Sequence, residues 1–521
     1  MQSPKRSPRR RAKKAWRDVC LRRTKGTASA RTSDESAPFV ESLKLDPTEP
    51  RPLYVQLADR LVEAIESKNL SPGKRLPAMR ELARALDCAL VTVSQAYELL
   101  AARGRVNARP GKGTYVAAAP DEHEPFARRW EPDVGRFARG ARLEGVMERL
   151  TRATEPGAIS LAAGHPAPET FPLHDFARAF HRTLLDDAPE LMQYRSSTGD
   201  RDLCAKLAAL LQGRGCRAEW RDVIVCSGAQ QAADIVATVL LGERTVVASE
   251  SPTYWGSLGV FDARGVTYVE VRGDEDGVRA DDVERVFAEY RPRLFYVSPI
   301  AQNPTGAVLP ARRAKQIVAL ARRYDVVVLE DQTGWQLTCD AAPPPPLAAY
   351  DTDGRVIVME SLSKSIFPAL RIGYLYAKGG IAEALETAKV RADVFTSTLT
   401  QRALWRFMES PACPRHFRAT RSLYRKRRDA FAEAVCEVVG WTTVRLPAAG
   451  VNLWLPLPPR ISTQAAFDAC AREGVLVMPA EPFYPTRSGP PALRLSFGHL
   501  APEEAREGVF RLGRALTRVL R

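Results

Sequence analysis

The chain of 521 residues lacks the patterns that mark secreted, zinc-binding and membrane-spanning proteins. Its nine cysteines are scattered singly, without a Cys-x-x-Cys pair or a His and Cys cluster at zinc spacing. This distribution argues against a disulfide framework and a metal site. The sequence contains no run of about eighteen apolar residues, and the amino terminus has no apolar signal core. We therefore expect a soluble cytoplasmic protein that binds no metal and no membrane.

Length and composition predict several domains. A chain of 521 residues exceeds what one hydrophobic core usually organises. Its 45% hydrophobic and 26% charged residues are typical of a folded chain. We expect a disordered basic tail over residues 1–48, a first domain over 49–118, a linker over 119–156 and a large domain over 157–521.

The first 31 residues carry much of the net charge of +15, because they hold 12 Lys and Arg residues against one acidic residue, Asp18. Such a segment has too few apolar residues to build a core. Two interpretations stay open. The tail either attracts nucleic-acid phosphates without sequence preference, or it has no such role and is a solvated extension or the product of a start codon placed too early.

The pattern of residues 52–116 predicts three helices followed by a hairpin. A helical face repeats first in Leu57, Leu61, Ala64 and Ile65, and again in Val93, Ala96, Tyr97 and Leu100. A short helix over 78–86 precedes the second of these faces, with a tight turn between them. Two short strands, 106–108 and 115–117, flank a basic glycine-rich tip. This is the pattern of an α+β winged helix-turn-helix domain.

Four segments of this domain resemble the GntR-type winged helix: residues 52–57, 70–77, 92–97 and 111–115. The resemblance implies that the domain binds a double-stranded DNA operator, with the third helix at the major groove and the wing at the backbone or minor groove. Only the few side chains at the helix start then read base edges. By resemblance, the DNA-contacting residues are Arg80, Thr92, Ser94, Gln95, Arg109, Lys112 and Gly113.

The third helix departs from that family at its first residues. Ala89 and Leu90 stand where members usually carry Ser-Arg. The helix therefore lacks a capping hydroxyl and one guanidinium that would reach the DNA. Loss of the cap lowers helix stability by about 1 kcal/mol. Thr92, Ser94 and Gln95 remain to read sequence.

Residues 157–521 alternate apolar runs with helical periodicity, which predicts an α/β domain with a mostly parallel sheet and helices on both faces. The runs lie at 223–225, 245–248, 294–297, 326–329, 356–359 and 373–376.

The segment Ser361-Leu362-Ser363-Lys364-Ser365, followed by Arg371-Ile372-Gly373-Tyr374, resembles the fold-type I aminotransferases. The resemblance implies the fold-type I transferase fold and a Schiff base between Lys364 and pyridoxal 5′-phosphate (PLP). It gives Tyr254 the role of stacking on the pyridine ring, Asn303 a hydrogen bond to the phenolic oxygen, and Asp331 a pair with the ring nitrogen. Arg494 would clamp a substrate or effector carboxylate, and Tyr194 would reach the phosphate of a partner subunit. The residues implied to hold the phosphate are Gly228, Ala229, Gln230, Ser361, Ser363 and Arg371.

The large domain also departs from its family. Members usually carry a tyrosine two or three residues after the aspartate that pairs with the ring nitrogen, and here those residues are Thr333 and Gly334. A missing phenol should slow proton transfer at the substrate carbon without preventing PLP binding.

A chain that combines these two domains in this order resembles the MocR subfamily of GntR regulators. This resemblance implies a homodimeric, PLP-dependent transcriptional regulator, associated with the bacterial nucleoid, whose large domain senses PLP or a small amino compound. Two alternatives remain open. One is an active aminotransferase that retains a DNA-binding domain, and the other is a pseudoenzyme in which both sites have decayed.

Overall fold

The computed structural model describes residues 43–49, 51–67, 69–109, 113–117, 146, 150–151, 156–441 and 443–520. The chain divides into two units, Met1–Trp130 and Glu131–Arg521. The predicted tail as far as residue 42, most of the predicted linker and residues 110–112 lie outside the described residues. Within the described ranges, none of the helices combines the length and the apolar character needed to cross a bilayer.

The first unit contains helices α1 (Leu53–Glu66), α2 (Met79–Ala85) and α3 (Leu90–Ala102), followed by strands β1 (Val106–Arg109) and β2 (Gly113–Val116), which pair antiparallel. The predicted face of α3 is buried over its whole length, with Leu57 and Leu61 of α1 in the same core. The Tyr97 hydroxyl donates to the Pro77 carbonyl at 2.8 Å and ties α3 to the segment before α2. The predicted winged helix-turn-helix is thus confirmed.

The second unit is an α/β domain. Its strands are β3 (Ile159–Ser160), β4 (Val223–Cys226), β5 (Val246–Ser251), β6 (Thr267–Asp274), β7 (Gly277–Val278), β8 (Leu294–Val297), β9 (Val327–Asp331), β10 (Val356–Ser361), β11 (Gly373–Tyr376), β12 (Asn452–Pro456), β13 (Val475–Leu476), β14 (Met478–Pro479) and β15 (Ala492–Ser496). Its helices are α4 (Leu173–Asp186), α5 (Ala188–Leu191), α6 (Arg201–Gln212), α7 (Ala229–Leu240), α8 (Trp255–Asp262), α9 (Ala280–Tyr290), α10 (Ala311–Tyr324), α11 (Gly379–Asp393), α12 (Thr398–Glu409), α13 (Ala412–Val438), α14 (Thr463–Arg472) and α15 (Pro502–Leu520).

The large sheet has eight strands in the order β4-β11-β10-β9-β8-β5-β6-β7. Strands β10, β9, β8, β5 and β6 pair parallel, whereas β11 runs antiparallel to both of its neighbours. Along β10, Val356 and Val358 pack into one hydrophobic core, while Ile357 and Met359 pack into the other. The sheet is therefore buried on both faces, as its continuous apolar strands predict, and the predicted mostly parallel sheet is confirmed.

A smaller antiparallel sheet, β12-β15-β14, brings the carboxyl-terminal segment into the domain. Leu453, Leu493 and Leu495 of this sheet are fully buried in one core with residues of α13 and α15. Arg494 lies between the two leucines of β15 and opposite Trp454 of β12. Because side chains alternate along a strand, this packing turns Arg494 away from the leucine core.

Candidate functional site

Five strands of the large sheet end at the same edge. Strands β5, β8, β9 and β10 are parallel, and β4 runs in the same direction because β11, between it and β10, is antiparallel to both. Gly228, Tyr254, Asn303, Asp331 and Lys364 lie at the ends of these strands or just beyond them. The crevice at the carboxyl ends of parallel strands is where sheets of this kind bind ligands.

The Lys364 side chain is half-buried at the end of this crevice. Its Nζ donates to the Gly164 carbonyl at 2.6 Å. Burial, with a contribution from the nearby Arg494 charge, lowers the pKa of Lys364 to about 8. A lysine with this pKa is neutral in a substantial fraction of molecules near neutral pH, so its nitrogen can attack a carbonyl carbon.

Asp331 ends β9 as a buried carboxylate with two donors. Its Oδ2 accepts from the Tyr296 hydroxyl at 2.9 Å, and its Oδ1 accepts from the Thr333 amide at 2.9 Å. Burial raises the pKa of Asp331, whereas these hydrogen bonds oppose the rise. None of the ion pairs seen in the described part of the chain involves Asp331. The carboxylate is therefore suited to a cationic group on a ligand.

The turn before α7 and the segment after β10 form an anion cradle. Arg371 Nη2 donates to the Ser227 carbonyl at 2.6 Å, and the Ser361 hydroxyl donates to the Ser363 hydroxyl at 3.0 Å. Gly228 has φ 97°, and a Cβ there would lie 2.8 Å from Arg371 Nη2, so only glycine fits. The first amides of α7, beginning at Ala229, face this turn with the positive end of the helix dipole.

Gln230 contributes to the cradle only through its backbone, because its side-chain amide donates to the Gly256 carbonyl at 3.1 Å. Its neighbour Gln231 accepts from the Ser227 amide at 2.6 Å and donates to Asp393 at 2.9 Å. The predicted role of Gln230 is therefore restricted to its main-chain N–H group.

Arg494 is a buried cation, 4% exposed, and no ion pair in the described part of the chain includes it. Its Nη1 donates to Asn303 Oδ1 at 3.3 Å and its Nη2 donates to the Ala162 carbonyl, while its Nε finds no partner among the residues that the structure describes. Burial lowers the pKa of Arg494 to about 10. A guanidinium held this way is prepared for an anionic ligand. The same contact occupies the carbonyl end of Asn303, so its amide nitrogen is the end that can donate to a ligand.

The two predicted tyrosines differ in their surroundings. Burial raises the pKa of Tyr254, with the charges of Asp331 and Arg494 as smaller influences, which places its phenol near both groups. Tyr194 is 83% exposed, and its ring packs edge-on against Phe395 with 5.7 Å between the ring centroids. Within one chain, Tyr194 therefore does not join the other site residues.

The structure shows what occupies the position of the missing tyrosine. The Thr333 amide is bonded to Asp331, and Gly334 has φ 88° in a turn that leads away from the strand. Trp335 follows, but its Nε1 donates to Glu360 at 2.7 Å. None of these three residues carries a phenol.

Three further residues, which the sequence motifs do not include, lie close to residues of the site. Tyr296 donates to Asp331, and its hydroxyl inside an apolar strand was a usable signal. Burial, then the charges of Lys364 and Arg494, lower the pKa of His165. Asn452 Oδ1 has no hydrogen-bond partner within the described ranges and would lie 3.6 Å from a Cβ on Gly164. His165 and Asn452 are distant in sequence from the motifs, so no local pattern indicates them.

The predicted DNA-contacting residues of α2 and α3 differ in their freedom. Arg80 and Gln95 are exposed, whereas Thr92 is half-buried. The Ser94 hydroxyl contacts a Glu98 carboxylate oxygen at 3.2 Å. Ser94 is thus already hydrogen-bonded on the helix surface, which its i, i+4 spacing from Glu98 could have indicated.

In the wing, Arg109 ends β1 and pairs with Gly113 at the start of β2, while Lys112 lies outside the described residues. Gly113 has φ 111°, and a Cβ there would lie 2.6 Å from Arg75 Nε. Arg75 itself is exposed and pairs with Tyr115 of β2. The absence of a Cβ at Gly113 therefore leaves space for the Arg75 guanidinium. Arg75 is a basic residue that is not among the predicted DNA-contacting residues.

Two families match the chain over separate ranges. The family described as "Aminotransferase class I and II" matches residues 156–512, and "Bacterial regulatory proteins, gntR family" matches residues 53–116. The HTH-type transcriptional regulator TauR of Rhodobacter capsulatus is 30% identical, over 92% of this chain and 99% of that protein. The probable rhizopine catabolism regulatory protein MocR of Rhizobium meliloti is 28% identical, over 90% of this chain and 94% of that protein.

A solved structure gives the same result for the large domain. The kynurenine aminotransferase of Pyrococcus horikoshii, solved in complex with PMP, is 29% identical with a TM-score of 0.71. The match covers 75% of this chain and 99% of that one. The similarity to this enzyme is thus limited to the large domain, whereas the similarity to the regulators extends over nearly the whole chain.

Proposed function

The chain belongs to the class I and II aminotransferase family and is a MocR-type member of the gntR regulators, and on this basis we propose that it is a PLP-dependent transcriptional regulator that responds to an amino compound. The observation that carries the proposal is the buried Arg494 beside Lys364, in a chain whose residues 53–116 form a DNA-binding domain. A DNA-binding regulator acts at the nucleoid, and we place the protein there.

The residues at the strand ends fit PLP. The cradle around Gly228 suits a phosphate dianion, and the carboxylate of Asp331, which has no ion-pair partner among the described residues, suits a protonated pyridine nitrogen. Lys364 offers a nitrogen of lowered pKa, and Asn303 offers an amide donor. When bound, PLP supplies an aldehyde carbon that bonds covalently to amines and a ring that withdraws electrons.

We assign DNA binding to residues 49–118 and sensing to residues 157–521. In the sensing domain, Arg494 would orient an amino compound by its carboxylate, because a guanidinium binds a carboxylate in two parallel hydrogen bonds. Neither Thr333 nor Gly334 carries a phenol, and the hydroxyl of Tyr296 is already bonded to Asp331. The site is therefore better equipped to bind an amino compound than to turn it over.

We further propose that the regulator is a homodimer. Residues 173–194 expose Leu173, Leu185, Met192 and Tyr194 on one segment of the large domain. Exposed apolar side chains concentrated in one segment favour a protein interface, and a second copy would cover them. In that arrangement Tyr194 would serve the phosphate cradle of the partner subunit.

The second candidate function is an active aminotransferase that keeps its DNA-binding domain. It is favoured by the presence of Lys364, Asp331, Asn303 and Arg494 in one site. The two functions predict different responses of the PLP-loaded full chain to the proteinogenic L-amino acids.

We expect at least one L-amino acid to change the visible spectrum and the affinity for DNA while forming little keto acid. A ligand shifts a regulator only through its different affinity for two states, so the DNA affinity is the decisive readout. The DNA is a duplex selected from a random-sequence library by the full chain. Rapid multiple-turnover keto-acid formation, with DNA affinity unchanged by every amino acid and by PLP, would instead establish the aminotransferase.

Arg80→Ala should weaken binding to the selected duplex by about tenfold and binding to random duplex much less, because an exposed arginine at the groove reads bases. Lys112→Ala should weaken both by a similar factor and lower the slope of log affinity against log salt by about one, as a phosphate contact does. Fluorescence anisotropy at several salt concentrations measures both. If deletion of residues 1–45 abolishes all binding while Arg80→Ala has no effect, the basic tail is the DNA-binding element.

A further inference from the structure

Two adjacent apolar side chains at the start of α3 are exposed to solvent. Leu90 is 45% exposed and Val91 is 59% exposed. Within the described part of residues 43–117, no other large hydrophobic side chain reaches this exposure. We call Leu90 and Val91 the apolar tip. They lie on the first turn of α3, the helix that enters the major groove in a helix-turn-helix.

The apolar tip is not a frayed part of the core. The rest of α3 is fixed by Val93, Ala96 and Leu100, which are fully buried, and by the Tyr97 hydrogen bond to Pro77. Val91 is three residues before Ser94 and four before Gln95, so these side chains share one face of the helix. The tip therefore lies on the same side as the residues placed to read bases.

Few polar groups compete with the tip for base edges. The helix has no side-chain cap at Ala89, and the Ser94 hydroxyl is hydrogen-bonded to Glu98. Four cations of the same domain that precede the tip in the sequence are exposed, as phosphate contacts require: Lys74, Arg75, Arg80 and Arg84. An exposed apolar pair in a domain with exposed cations fits a polyanion that carries apolar groups in its groove.

We propose that Leu90 and Val91 recognise thymine methyl groups in the major groove, which rests on the proposed DNA-binding function and deepens it. Thymine is the base that presents an apolar group, its C5-methyl, on the major-groove edge. Burial of one methyl between such side chains changes affinity by about fourfold. The tip thus reads sequence by shape and burial in place of hydrogen bonds.

The test replaces thymine by uracil, which removes the methyl and leaves every hydrogen-bonding group. The full chain selects duplexes from a random-core library, and the selected site is rebuilt with deoxyuridine at single positions. We expect thymine at a fixed position of the site, and a loss of about fourfold in affinity for each methyl removed there. Equal affinity for thymine and uracil duplexes at every position overturns the inference, although the proposed DNA binding stands. If no duplex is enriched, both fail.

A variant assigns the effect to the tip. The double variant Leu90→Ala, Val91→Ala should bind thymine and uracil duplexes equally, whereas the control Arg84→Ala should keep the wild-type ratio at a lower overall affinity. Circular dichroism melting checks folding, which exposed substitutions should leave intact. If the folded double variant keeps the thymine preference, the inference is wrong. If it also has a lower molecular mass in solution than wild type, the tip is a contact between protein subunits.

Discussion

The Lys364→Ala variant should purify without the visible absorbance that the PLP-loaded wild type shows. Borohydride reduction should leave no PLP covalently attached to the variant. Lys364 is the half-buried amine just beyond β10, and its pKa of about 8 makes it the nucleophile of the site. Absorbance spectra of the two proteins, each saturated with PLP, measure the effect. Lys315→Ala is the matched control, because Lys315 is an exposed lysine of the same domain.

The same lysine predicts how PLP uptake by the apoprotein depends on pH. Burial disfavours the charged amine, so its pKa lies below the value of 10.5 usual for lysine, and the neutral form predominates above pH 8. The uptake rate should therefore rise as pH increases through about 8 and level off above it. A rate that keeps rising toward pH 10 would show that the reacting lysine is an exposed one. A Lys364→Ala protein that still binds PLP covalently would remove Lys364 from its assigned role.

Much of the large domain was predictable because its strands are apolar runs buried on both faces. The run 294–297 became a strand with the same bounds, while β9 continues through Glu330 and Asp331, two residues beyond the apolar run. That extension depends on tertiary contacts, since Glu330 accepts from the amides of Leu347 and Ala348. Strand β6 (Thr267–Asp274) is only partly buried, and its mixed polarity gave no comparable signal.

The position of the site was predictable to a similar degree. Motifs that follow strands had to meet at one sheet edge, and Gly228, Asp331 and Lys364 do lie there. What sequence could not give was contact between distant segments. The Gly164 carbonyl that binds Lys364, 200 residues away, is one example. The exposure of Leu90 is another, because an apolar residue three positions before the buried Val93 does not show by its spacing alone that it faces solvent.

Arg494→Met should abolish recognition of the carboxylate of an amino acid while leaving PLP bound. Arg494 is buried without an acidic partner among the described residues, so its charge is compensated only when an anion binds. Loss of a buried charged hydrogen-bonding partner costs about 2 kcal/mol or more, which is about 30-fold in affinity. In the measurement, the PLP-loaded protein is titrated with each L-amino acid and, in parallel, with the corresponding amine that has no carboxylate. Wild type should prefer the amino acids, and the variant should bind both members of each pair equally.

The stability of the same variant separates ligand binding from a structural role. Methionine fills a volume similar to the arginine stem and removes a buried charge that has no ion-pair partner among the described residues, which offsets the loss of the hydrogen bonds to Asn303 and Ala162. The melting temperature of Arg494→Met without amino acid should therefore equal or exceed that of wild type. Arg494→Lys should keep part of the preference, because lysine retains the charge but not the planar fork. A Met variant that melts well below wild type yet keeps its preference for amino acids would show that Arg494 holds Asn303 and Ala162 in place and does not bind the ligand.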